Sequence, residues 1–280
     1  MTRTDTTPRV WTRYVAVGDS FTEGMCDDDP ALASGGEYAG WADRLAAHLS
    51  ELAQAAGQGF GYANLAVRGR KLADVVGPQL DSALALEPDL VSIVGGGNDI
   101  LRPKADLDAL ASSLEEAVKR TRATGADVLL ATPVDPADAP LVRATRGRAA
   151  VHAANIWSIA RRHGCHVVDQ WGLHALRDWR MWSEDRIHMT SEGHRRVALA
   201  ALEALGIPTE RADWSTPLEP APPISRREAL QANAQWARDY VGPWVHRRLT
   251  GRSSGDLRRP KRPAVTPLLL PEPPAPGKDS

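Results

Sequence analysis

Four short segments concentrate residues able to do chemistry. In Gly18-Asp19-Ser20-Phe21-Thr22-Glu23-Gly24, a serine stands between glycines that permit a sharp turn. Read locally, Ser20 either presents its hydroxyl or merely caps the chain. In Asn64-Leu65-Ala66-Val67-Arg68-Gly69-Arg70, Gly69 can leave a backbone N–H open to a ligand, or be an ordinary loop glycine. Gly95-Gly96-Gly97-Asn98-Asp99 lets the backbone approach a ligand closely and adds the Asn98 amide as a directed donor; a plain glycine turn is the alternative. In Asp185-Arg186-Ile187-His188, a carboxylate three residues before an imidazole can accept a hydrogen bond from it, orient the ring and stabilise its charged form. Asp185, His188 and His194 are also conceivable zinc ligands, but no HExxH or cysteine pair accompanies them. His48, His152, His163, His166, His174 and His246 fit no pattern and read as surface or structural. No GK[ST] follows the triple glycine and no GxGxxG opens the chain, so a nucleotide site is poorly supported.

These segments need elements to hold them. RYVAVG at 13–18 is a buried strand that runs into the first segment. A helix is predicted from about Glu37 to Ala56, with Trp41, Leu45, Leu49 and Leu52 on one face and Gly57 as the stop. Strands follow at 60–67, 89–97, 126–133 and 166–171, and helices at 73–86, after Leu107, at 146–163 and at 191–205. Apolar strands alternating with helices imply a parallel sheet covered on both faces, with the chemistry beyond the carboxyl ends of its strands.

Composition narrows the class. The 34 Lys+Arg against 35 Asp+Glu give a net charge of -1 and no overall case for binding nucleic acid or an anionic membrane. Two cysteines, Cys26 and Cys165, cannot build a disulfide framework, and no apolar leader or membrane span is visible. A cytoplasmic protein is expected. Of the 21 prolines, 13 lie from Pro208 onward. Thr209 to Ser280 holds 12 Lys+Arg and 8 Asp+Glu, a charge of +4, so the first 208 residues carry -5.

A serine, a glycine, an asparagine and an Asp-x-x-His leave four strand exits in that order. The chain thereby resembles the SGNH hydrolases, the GDSL-type esterase/lipase superfamily, over roughly residues 13–206. Gly18 through Gly24 matches the first block, Asn64 through Gly69 the second, Gly96-Gly97-Asn98-Asp99 the third, and Asp185 with His188 the D-x-x-H block. Phe21 departs from the leucine of the namesake motif. The resemblance implies a three-layer α/β/α sandwich, flavodoxin-like, around a five-stranded, mainly parallel sheet. It implies Ser20 as nucleophile, His188 as general base and Asp185 as its orienting partner. The N–H groups of Ser20 and Gly69 and the Asn98 amide become the oxyanion donors, and no metal or organic cofactor is needed. The serine motif is not the G-x-S-x-G elbow of the α/β-hydrolases.

The expected substrate is a small acyl ester, for example an acetylated sugar or a lysolipid. Acyl transfer to an alcohol and a non-catalytic binding module are the alternatives. Asp19, Arg68 and Trp182 are candidate substrate contacts, with Arg70, Arg102 and Trp179 near them in the chain. Cys26 is expected to be passive. Residues 1–12 read as an extension, 13–208 as the catalytic domain and 209–250 as a proline-rich connector ending in a helix. That helix, at about 225–240, would turn Leu230, Ala234, Ala237 and Val241 inward. Residues 251–280 read as a disordered basic tail. For the helix at about 225–240 a satellite packed on the domain is favoured; weak contact with a membrane surface or a partner protein is the other use of this basic C-terminal region.

Overall fold

The computed structural model describes residues 9–29, 38–139, 142–222, 225–241 and 254–268. Five parallel strands form the sheet: β1 (Arg13–Val17), β2 (Gly61–Asn64), β3 (Leu90–Ile93), β4 (Asp127–Ala131) and β5 (His166–Val168). A sixth, β6 (Arg262–Pro267), joins antiparallel to β2, giving the order β5-β4-β3-β1-β2-β6. The chain leaves β1 for β2 on one side and then returns to place β3 on the other. This reversal opens a crevice between the carboxyl ends of β1 and β3, where such folds bind ligands. Ala16 pairs with Asn64 and Val17 with Ile93, so the exits of β1, β2 and β3 lie level along one sheet edge.

Period-two alternation sorts the strand residues into two cores. Tyr14, Ala16, Tyr62, Leu90 and Leu129 face one side, against α2 (Trp41–Ala55) and α8 (Ser191–Ala204). Val15, Val17, Ala63, Val91, Ile93 and Leu130 face the other. There they meet a kinked helical run, Leu72–Asp74 through Leu80–Leu84, followed by α6 (Leu107–Ala123) and α7 (Arg146–His163). Each fully buried Leu or Val side chain contributes about 1.5–3 kcal/mol. Two short helices sit at the strand exits, α1 (Ser20–Glu23) and α5 (Gly97–Ile100). Among the described residues, no helix is long and apolar enough to cross a membrane.

Three expectations change. Leu52 is 41% exposed, and Ala53 takes its place on the inner face of α2. The sheet has six strands where five were expected. The extra strand comes from the stretch expected to be disordered, of which 251–253 and 269–280 lie outside the described residues. Lys261, just before β6, is drawn inward: its ammonium donates to Asp43 Oδ2 at 2.6 Å, to Glu23 O at 2.6 Å, and to the carbonyls of Tyr38 and Ala39. A buried ammonium survives only with such partners, so this lysine ties the chain's end to the turn after α1. The predicted connector helix is present as α10 (Arg226–Trp236), continued by a wider turn to Val241. Its contacts differ from the expected ones, since Leu230 is 70% exposed and Ala234 and Ala237 also face outward.

Candidate active site

Ser20 is the first residue of α1, directly beyond β1. Asp19 caps that helix, its Oδ1 accepting from the Phe21 N–H at 3.1 Å. Gln79 clamps the preceding residue from both sides: its Oε1 accepts from the Gly18 N–H at 2.9 Å and its Nε2 donates to Gly18 O at 3.0 Å. Phe21 stacks on the rings of Trp41 and His194, each at 5.7 Å. The aromatic departure from the usual leucine is thus filled by packing.

At the β2 exit, the buried Asn64 amide donates to Thr22 O at 2.9 Å and joins this loop to α1. Arg68 is 7% exposed and its guanidinium forks onto the Glu23 carboxylate, with Nε at 2.9 Å from Oε1. Its own N–H donates to Glu23 Oε2 at 2.6 Å. Arg68 does not line the cavity. The Arg68 guanidinium is thus committed to a counter-ion inside the fold, away from the cavity that the other candidate contacts line. The same ion pair fixes the backbone entering Gly69, which has φ +74, a left-handed value suited to glycine. The backbone N–H groups of Ser20 and Gly69 have no hydrogen-bond partner among the described residues.

At the β3 exit, Gly96 has φ +95, and a Cβ there would lie 2.7 Å from His152 Nε2. His152, expected to be structural, reaches in from α7, bonds Gly95 O at 3.1 Å and lines the cavity. Burial lowers its pKa, which favours the neutral ring with Nε2–H donating. Asn98 Nδ2 donates to Arg70 O at 2.9 Å and, more loosely, to Asp19 Oδ2 at 3.3 Å. Asp99 accepts from the Leu72 N–H at 2.9 Å, linking this turn to the helical run behind it. Burial pushes Asp19 up to about 6.

The last segment closes the crevice. His188 Nδ1 and Asp185 Oδ2 are 2.5 Å apart; an ionised carboxylate there selects Nδ1–H as the donor, the tautomer whose Nε2 can accept. Asp185 Oδ1 accepts from the Ser183 hydroxyl at 2.7 Å and from the N–H groups of Ile187 and His188 at 2.9 and 3.0 Å. Burial alone would raise its pKa, but these donors and the His188 ring hold it well below the usual carboxylate range. Arg186, between the two, has φ +57. Cys26 places its sulfur within 4.8 Å of the Asp185 and His188 ligand atoms, and burial pushes its thiol above the usual value. His194 is committed elsewhere, with Nδ1 accepting from the Trp41 N–H at 3.2 Å and Nε2 facing Met25 O at 3.3 Å. The three-ligand zinc set weighed from sequence is therefore not assembled.

Ser20, Gly69, Asn98, Asp185 and His188 line one cavity of about 820 Å³. Asp19, Trp182, Trp179, Arg70 and Arg102 line it too, and Trp182 is fixed by its indole N–H donating to Leu176 O at 2.7 Å. Tyr240, Ser254 and Asp256, all beyond residue 208, contribute to its wall.

Known proteins carry related folds. The sequence profile of the GDSL-like lipase/acylhydrolase family matches residues 16–196. LAE5, described as an α/β hydrolase from the metagenome of Lake Arreo, Spain, is 27% identical with a TM-score of 0.58. The match covers 70% of this chain and 95% of that one. Axe2, an acetylxylan esterase from Geobacillus stearothermophilus, is 23% identical with a TM-score of 0.56, covering 70% and 95%. No curated protein matches the sequence. With its profile spanning most of the chain and its strand exits in the family's order, the chain belongs to the GDSL-like lipase/acylhydrolase family.

Proposed function

We propose that the chain is a serine esterase that cleaves small acyl esters through an acyl-enzyme on Ser20. The observation that carries this reading is the His188–Asp185 pair, its Nδ1 proton held and its Nε2 left to accept, sharing a cavity with Ser20. A serine hydroxyl attacks a carbonyl effectively only as a base removes its proton. Ser20 Oγ bonds to the acyl carbon while its proton passes to His188 Nε2. Asp185 stays ionised and stabilises the resulting imidazolium. The tetrahedral oxyanion accepts from the Ser20 and Gly69 N–H groups, which have no other described partner. Asn98 supplies the third donor by turning the hydrogen that rests loosely on Asp19 at 3.3 Å, while its other hydrogen stays on Arg70 O. Collapse breaks the ester C–O bond, and the alcohol leaves with the proton from His188. Water then attacks the acyl-enzyme by the same route and returns the free serine.

A cavity of about 820 Å³ is large for a short acyl group alone, and suits one borne on a bulky alcohol. The test is an acyl-chain-length series of chromogenic esters on the full chain, together with a fluorophosphonate probe. Turnover of the shortest esters and labelling at Ser20 support the reading; a chain that neither turns over nor labels refutes it. Added alcohols reveal acyl transfer as a new ester product.

A further inference from the structure

The turn that carries the proposed acid–base pair is strained, and what holds it comes from far along the chain. Arg186 lies at φ +57, a region unfavourable to a residue bearing a Cβ. Its N–H donates to Ser183 O at 2.9 Å. Its guanidinium lies between two indoles, 5.6 Å from the ring centre of Trp179 and 4.8 Å from that of Trp236, and donates to Asn233 Oδ1 at 2.7 Å. The Trp236 indole N–H in turn donates to the Asp185 carbonyl at 3.1 Å. One turn further on, the Tyr240 hydroxyl donates to Glu184 Oε2 at 3.2 Å.

Asn233, Trp236 and Tyr240 fall at i, i+3 and i+7, on one face of α10 and its continuation. Trp236 and Tyr240 are the half-buried members of a stretch that is otherwise exposed. Three residues of the helix thus meet three successive residues of the loop, Glu184, Asp185 and Arg186. The match to the family profile ends at residue 196, so this helix lies outside the residues that the profile describes.

We propose that Trp236 is a positioning residue, which acts through the Asp185 carbonyl and the Arg186 side chain to hold Asp185 against His188. This rests on the reading of Ser20, His188 and Asp185 as the reacting set. Trp236 does not line the cavity, so it has no direct contact with substrate there. Loosening the turn shifts the carboxylate, and small misplacements of a catalytic group slow the chemical step without weakening binding.

The experiment compares the full chain with Trp236→Phe, which keeps a ring but loses the indole N–H, and with Trp236→Ala. Rates are normalised to fluorophosphonate-titrated serine, so a loss of folded protein does not count. Trp236→Phe should lower kcat roughly three- to tenfold, as expected for one lost hydrogen bond, with KM within about twofold. Trp236→Ala should lower kcat further, and both variants should react more slowly with the probe. Unchanged kcat per titrated serine in both variants, or a change confined to KM or to the melting temperature, overturns the proposal. A wild-type chain that neither cleaves esters nor labels at Ser20 overturns the esterase reading instead, and the positioning role with it.

Discussion

Arg68 and Arg186 each stand one residue from a group proposed to act in the reaction, Gly69 and Asp185, and they are held in opposite ways. Arg68 is buried and forks onto the carboxylate of Glu23, which also accepts its backbone N–H. Arg186 is half-buried and held by the faces of two indoles and the Asn233 amide oxygen. Breaking one side of a buried ion pair costs about 3–5 kcal/mol, because the remaining charge cannot return to water. A partly exposed cation–π contact is worth about 0.5–1 kcal/mol. The Gly69 side is thus locked into the fold, and the Asp185 side is held from outside by a segment beyond the residues that the family profile matches. Damage to the first should appear as unfolding, damage to the second as slower catalysis.

The comparison is broken most severely at the residues proposed to react. Ser20→Ala should abolish ester turnover and leave the melting temperature near that of the wild type; full activity in that variant ends the esterase assignment. Asn98→Ala should lower kcat by about 10²–10³ and change KM little, since its hydrogen bond strengthens in the transition state. A loss confined to KM would remove Asn98 from the oxyanion donors.

The arginines themselves give the sharper contrast. Glu23→Gln leaves Arg68 buried without its full counter-charge, and thermal melting should fall by roughly 10 °C. Arg186→Ala should move melting by only about 2 °C while lowering kcat. Equal melting losses in the two variants would show that both halves are held alike.

A last effect is a pH dependence. Asp19 has a folded pKa raised from 3.8 to about 6, chiefly by burial. A carboxyl with a raised folded pKa stabilises fully below its unfolded value and loses that stabilisation as pH rises through its folded value. Asp19 therefore costs about 2–3 kcal/mol above pH ~6 that it does not cost at pH ~4. Asp19→Asn should raise the melting temperature at pH 8 and not at pH 4; equal shifts at both would assign the effect to packing.

The strand exits were legible because each carries a residue whose chemistry is local: glycines that turn, a serine, an amide, and an Asp three residues before a His. The parallel sheet was legible from apolar runs alternating with amphipathic helices. The Arg68–Glu23 pair was not legible, because the two lie 45 residues apart and nothing in either loop announces the pairing. His152 was passed over since a lone histidine on a helix shows no sign that Gly95 O lies opposite it. β6 was hidden by Pro263 and Pro267, which suggest disorder; an edge strand is where a sheet tolerates proline. α10 was expected as a helix, yet its inner face is Asn233, Trp236 and Tyr240, because a polar loop and not a hydrophobic core lies beneath it.

By itself, the sequence determined the layered fold, the resemblance to the family and the order in which the candidate groups arrive at the sheet edge. The fold follows from periodicity and the order from residue types that act locally; the family followed from the resemblance that the four motif blocks carry. Only the tertiary structure decided which charges are spent inside the protein and which face the cavity. It also decided that two described stretches beyond residue 208 return to the domain, through Lys261 to the turn after α1 and through Trp236 to the turn that holds Asp185. The physical reason is range. A buried ammonium, a strained φ and an indole over a guanidinium are each satisfied by groups brought close only when the whole chain has packed.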